Sequence, residues 1–336
     1  MTANARVCVQ SERVRLVPPY HRRLPDRCLA DTIVPLCARS IAGQDRMIIE
    51  KLDVSPDLLG ESPVWDPASR RLFWIDAWRG LVRALHPTSG RQESWNASGR
   101  IGSIALMQGN HILAAMRGGG LQELDLDTSL WTPLAAIASK DPDTYLNDGK
   151  TDRRGRFVCG SVGAGGKPVG ELYRFTPPGR IETLATGIRL SNGICFSPAG
   201  DRMYFTDTLS RKIQVFPYDP DTGAVGEPSC LFDVNTINSM ADGATVDSGG
   251  HIWATMPRTG EVARISPEGE LVQLIKMPVE FPSCTAFGGD DLDILYVTTI
   301  KDSGSGHAVS KHPDGGALFA IKGLGVRGLP EARFAA

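Results

Sequence analysis

Four short stretches of the chain set an oxygen donor beside a turn-forming residue: Glu61 in GESPVWDPASRRLFW, Asn147 in YLNDGKTDRRGRF, Asn192 in Ser191-Asn192-Gly193 before SPAGDRMYFTD, and Asp242 in Ala241-Asp242-Gly243 before VDSGGHIWAT. Pooled at one point they offer two carboxylates and two amide carbonyls, with neither His nor Cys. That set suits a hard divalent cation such as Ca2+, Mg2+ or Mn2+. Two negative charges leave a bound dication close to neutral, with room for water. Each residue alone could equally be an Asx-type turn or a capped strand end. Their equivalent placement argues for a shared ion. In YLNDGKTDRRGRF the residues Thr151 to Gly155 already supply a turn into a strand starting near Arg156. Asn147 and Asp148 therefore belong one strand earlier than that turn.

The elements that must position these residues repeat along the chain. Polar turns precede β-prone runs whose starts fall at Leu72, Ile112, Phe157, Met203, Ile252 and Leu295, between 40 and 49 residues apart. A unit of about 45 residues holds four short strands, and such units arranged around an axis form a β-propeller. Six starts predict an all-β chain folded as a six-bladed β-propeller. Helical periodicity is nearly absent, and 37 Gly and 23 Pro punctuate the chain at strand-length intervals. In such a fold the innermost strands line a channel, so Glu61, Asn147, Asn192 and Asp242 converge at the axis.

Composition sets the outer bounds. With 36 basic and 38 acidic residues among 336, no electrostatic case exists for nucleic acid or an anionic membrane. No apolar run approaches the length of a membrane span. Seven cysteines without a CxxC pattern build neither a disulfide framework nor a zinc site, which predicts a cytoplasmic protein. Residues 1–46 carry eight Arg and three Cys but no apolar stretch of signal-peptide type. They are expected to be a poorly ordered, dispensable extension, with one propeller domain over 47–336.

GESPVWD, NDGK followed by D-x-x-G-R, SNG followed by F-S-P, DGA followed by VD, and FPSCTAFGGDDLDILYVTT together resemble the regucalcin and gluconolactonase family, also called the senescence marker protein family. The resemblance runs from about residue 50 to about residue 325. It implies a six-bladed propeller with one catalytic divalent metal ion, Ca2+ by preference, with Zn2+, Mn2+ or Mg2+ as alternatives. It implies that Glu61, Asn192 and Asp242 ligate the ion, with Asn147 near metal and substrate and Asp148 in a supporting or second-metal position. The implied activity is hydrolysis of a sugar lactone in carbohydrate metabolism. Asp242 is the candidate general base, and Glu61 the alternative. Where animal members carry a substrate-contacting Arg, two residues before the Asn of NDG, this chain has Tyr145. Their acidic loop after the next strand is replaced by Gly163-Ala164-Gly165-Gly166, so the identity of the sugar does not carry over. The expected partner is a small sugar lactone, and the expected state is a monomer or weak dimer. A calcium-binding regulator without turnover and a phosphotriesterase on the same fold are the rival functions.

Other motifs carry less. GLGVRG, residues 323 to 328, matches a dinucleotide fingerprint in letters, but Leu329-Pro330 follows it where a helix is required. No GxSxG elbow occurs, and His307 and His312 are expected in an exposed loop. Trp74, Trp78 and Trp253 are expected to pack between blades, with the pocket rim as the alternative for Trp78.

Overall fold

The computed structural model describes residues 47–137, 144–177 and 179–335, together with a two-residue strand at Arg6–Val7. Six antiparallel sheets make up the described chain. From the axis outward, the first blade is Gly60–Asp66, Arg71–Asp76, Leu81–Leu85 and Gln92–Asn96. The innermost strands of the next five are Ile101–Leu106, Tyr145–Thr151, Ser191–Phe196, Ala244–Val246 and Pro282–Gly288. Each of these touches the innermost strand of the blade before and the blade after, and the sixth returns to the first. The result is a closed, six-bladed propeller, and the six expected strand starts each fall within one residue of a blade's second strand. Helical structure in the described residues is confined to short 3-10 turns such as Thr208–Ser210 and Val234–Ile237.

The blades adhere through six buried apolar clusters, one at each junction between neighbours. Strands buried on both faces explain why the second strands read as near-continuous apolar runs rather than alternating ones. Trp74 and Trp253 are fully buried at two of these junctions. Their indole N–H groups donate to Asp57 Oδ2 at 2.8 Å and Asp247 Oδ2 at 3.0 Å, which keeps the one polar atom of each ring satisfied.

Two terminal segments close the ring. The outer strand of blade six is Ile48–Lys51, drawn from the other end of the chain and paired antiparallel with Phe319–Lys322 in the register Ile48↔Lys322. Arg6–Val7 pairs in turn with its outer edge; the rest of the extension 1–46 lies outside the described residues. At the C-terminus the chain from Arg327 onward crosses the floor of the propeller rather than forming a helix after GLGVRG. Gly328 N–H donates to Leu292 O at 2.7 Å, Phe334 N–H to Leu106 O at 2.7 Å and Ala335 N–H to Gly155 O at 3.1 Å. Arg333 pairs with Asp66, and Glu331 faces Lys150 at 3.4 Å and Arg153 at 3.6 Å. The axial space above this strap, lined by Ser62, Val64, Asp148, Lys150, Cys284 and Glu331, holds about 10 Å³, room for about one water. Among the described residues the strap therefore closes the channel from below.

Two outcomes follow from this closure. A chain starting at Met47 should keep the melting temperature and activity of the full chain, because it retains Ile48–Lys51; one starting at Leu52 should melt much lower. Phe334→Ala, at a residue packed between blades two and three, should cost about 3–5 kcal/mol in chemical denaturation while leaving the opposite face of the channel intact. A Met47 chain that failed to fold would make the extension part of the domain.

Candidate active site

The innermost strands converge on a narrow axis, and they reach it with local breaks in pairing. Register shifts occur between Glu61 and Val64, between Leu146 and Gly149, and between Asn192 and Cys195. Such bulges bend a strand and re-aim a side chain. The three sit at equivalent places in blades one, three and four, which is where the sequence carries Glu61, Asn147 and Asn192. The glycines that follow have a steric reason. Gly193 has φ 60°, and a Cβ there would lie 2.8 Å from Thr206 Oγ1. At Gly243 a Cβ would lie 2.3 Å from Cys284 Sγ of blade six. Asp242 itself stands just before blade five's innermost strand, held by its N–H to Thr255 O at 3.0 Å.

Glu61 and Asp242 face each other's charge across the axis. Burial, and then the charges of Asp242 and Asp148, hold the Glu61 carboxyl well above the ordinary range. Burial and the Asp148 charge do the same to Asp242. Two carboxylates in a poorly hydrated channel repel unless a proton or a cation lies between them. Asp148 plays a different part. Its Oδ1 accepts from Gly149 N–H at 2.9 Å and its Oδ2 from Ile194 N–H at 3.0 Å. The second of these bonds ties blade three to blade four, and through it Asp148 braces the site from beneath.

The two amides form a directed chain. Arg117 Nη2, a donor only, points at Asn147 Oδ1 at 3.0 Å, so Asn147 Nδ2 faces Ser191 O and Asn192 Oδ1, each at 3.0 Å. At the other end Thr208 Oγ1 donates to Ala241 O at 2.8 Å and accepts from Asn192 Nδ2 at 2.8 Å. The chemistry of both ends fixes the same orientation for both amides. Asn192 is left with its carbonyl oxygen turned toward Asn147, while the oxygen of Asn147 is engaged by Arg117. Glu61, Asp242, Asn192 and Asn147 each have a side-chain oxygen that a cation could use, each amide oxygen already accepting one hydrogen bond. Among the described residues no group of three or more His, Cys, Asp or Glu could hold an ion, so a cation here would need the amide as well as the acids. The buried thiols Cys159 and Cys195 are pushed up to about 12 by burial, which keeps them protonated at neutral pH.

Arg117 and Thr208 escaped the sequence pattern. Among the described residues the innermost strands of blades two and six carry no carboxylate or amide side chain, and blade two instead sends in Arg117 from the end of its second strand, in HILAAMRGGG. Tyr145, expected at the substrate, lies half-buried with its ring 4.8 Å from the Arg117 guanidinium carbon. Trp78 packs half-buried against the cluster between blades one and two, beneath Arg100 at 3.3 Å and close against Gly304. His307 and His312 both lie in the loop between Ile294–Thr299 and Phe319–Lys322.

Residues 59–301 match the family described as "SMP-30/Gluconolactonase/LRE-like region". Pentonolactonase XacC of Haloferax volcanii is 33% identical over 280 residues, 82% of this chain and 94% of that protein. A 6-deoxy-6-sulfogluconolactonase of Pseudomonas putida is 31% identical over 282 residues, 83% of this chain and 96% of that one. Among solved structures, a calcium-binding protein, regucalcin, from Agrobacterium tumefaciens superposes with a TM-score of 0.79 at 30% identity, covering 85% of this chain and 97% of that chain. A propeller with Glu61, Asn147 and Asn192 on repeat-equivalent bulges and Asp242 just ahead of blade five's innermost strand, matched over these lengths, places the chain in the SMP-30/gluconolactonase/LRE-like family.

Proposed function

We propose that the protein is a divalent-metal-dependent lactonase that opens a sugar lactone by hydrolysis. The observation that carries this reading is the pair of axial carboxylates, Glu61 and Asp242, held above their ordinary pKa by burial and by neighbouring negative charge. Glu61, Asn192 and Asp242 would hold the ion, with Asn147 beside it. When bound, the ion supplies a Lewis acid for the lactone carbonyl, and Ca2+ is the first candidate for an oxygen-only set. The similarity to proteins named as lactonases supports the substrate class, and the similarity to a calcium-binding protein supports the ion.

The side chains have separable tasks. Asp242 takes a proton from the attacking water as its oxygen bonds to the carbonyl carbon. The same proton goes to the ring oxygen when the ring C–O bond breaks, giving a hydroxyl and a carboxyl group. Glu61 supplies the second negative charge. Asn147 is held by Arg117 with its Nδ2 toward Asn192, and so keeps the Asn192 oxygen in place. Bracing of this kind by groups behind the ligands fixes their orientation.

Asp242→Asn keeps the shape but removes a charge and a base, and should cost at least ~100-fold in turnover at saturating Ca2+. Wild-type turnover in that variant would remove Asp242 from the chemistry. Thr208→Val removes the acceptor of the Asn192 amide and should weaken Ca2+ binding by roughly 10-fold without abolishing the fold; unchanged affinity would show that the amide chain does not position the ligand. The pH dependence has a definite sign. Both carboxylates are raised, so protons compete with the ion from the ordinary carboxylate range up to the raised values, and Ca2+ affinity should climb as pH rises through that window. Isothermal titration in two buffers of different ionisation enthalpy should register proton release near neutral pH. A pH-independent affinity would mean the two acids are not its ligands. A calcium-binding regulator would show the same ion binding with no lactone turnover.

A further inference from the structure

Arg117 braces Asn147 with one of its donors, and the hydrolysis reaction leaves its full charge and remaining donors unused. Its residue keeps some exposed surface, yet its Nε is sealed from solvent and has no hydrogen-bond partner among the described residues. Among them it makes no ion pair with a carboxylate, and Glu61 and Asp242 act on it only through space. Its guanidinium is held flat by two contacts, the Asn147 amide oxygen and the Tyr145 ring. A planar cation fixed over an aromatic face is arranged for a second ligand on its remaining donors. Arg100, on the same blade, accepts the Arg117 N–H on its carbonyl at 2.9 Å and lays its exposed side chain over Trp78. The two guanidinium groups are near enough to feel each other's charge.

The charge balance then has a remainder. A dication at the axis is matched by Glu61 and Asp242, and beneath them Asp148 and Glu331 are matched by Lys150 and Arg153. Arg117 and Arg100 are left over, one of them enclosed. An enclosed charge without a counter-charge is costly, and an anion that pairs with it offsets the cost. We propose that Arg117 and Arg100 form an anion subsite at the blade-two side of the mouth, and that the substrate is a lactone bearing a carboxylate, sulfonate or phosphate remote from its reacting carbonyl. This rests on the lactonase reading for the neighbouring chemistry, and on Arg117, Arg100, Tyr145 and Trp78 for the charge preference.

The test compares glucono-1,5-lactone with its 6-phosphate, which share one ring and differ in one anionic group, on the full-length, Ca2+-loaded protein. The 6-phosphate should be favoured at least ~10-fold in kcat/KM, through KM, as expected for a charge-assisted pair. Arg117→Met should abolish the preference, Arg100→Ser should reduce it, and Arg117→Lys should keep part of it. Calorimetric binding of glucitol and glucitol 6-phosphate, which are not turned over, should show the same preference and the same loss in Arg117→Met. Equal use of both lactones, or an equal fall for both in Arg117→Met, would overturn the subsite and leave Arg117 as a brace for Asn147. A preference for glucitol 6-phosphate that vanishes in Arg117→Met, in a protein that opens neither lactone, would uphold the subsite and overturn the lactonase reading.

Discussion

Everything at the centre of this protein follows from the crowding of six strands around one axis. Where the innermost strands meet, a single Cβ would close the gap, as at Gly243 against Cys284. The same crowding forces Glu61 from blade one and Asp242 from blade five into mutual repulsion in a site with little water to screen it. The fold supplies the energy to hold them there through six apolar junctions between blades and a ring stapled by both chain ends. A bound cation would relieve the repulsion, so stability and ion binding are linked at this point.

The polar network around the acids is organised from its edges inward. Arg117 can only donate and the Ala241 carbonyl can only accept, and between them the hydrogen bonds of Asn147, Asn192 and Thr208 have one consistent direction. Blades two, three, four and five each contribute a link to that chain. Asp148 performs the matching task below, where its carboxylate joins the innermost strands of blades three and four. A substitution of Arg117, Thr208 or Asp148 would act on the proposed ion site without removing one of its ligands.

Much of this was legible in the sequence because it repeats. The recurring polar turns located each blade's second strand, and the polar-residue-then-glycine signature marked the inner strands of blades three and four and the approach to that of blade five, for the steric reasons seen at Gly193 and Gly243. What does not repeat was not legible. Arg117 enters once, from blade two, and reads in sequence as an ordinary residue before a glycine turn. The ring of Tyr145, expected at the substrate, lies against the Arg117 guanidinium, a contact between blades that no local pattern encodes. The strap from Arg327 to Ala335 joins blades two, three, five and six by hydrogen bonds and bridges to residues far away in the chain, and its letters suggested only a false nucleotide motif.

The most direct test of a cation-dependent site between Glu61 and Asp242 is lactone ring opening, followed as acid release, in protein stripped of divalent ions by a chelator and then given Ca2+ back. Turnover should vanish on stripping and return with saturable dependence on added ion. Undiminished turnover in the stripped protein would contradict the account.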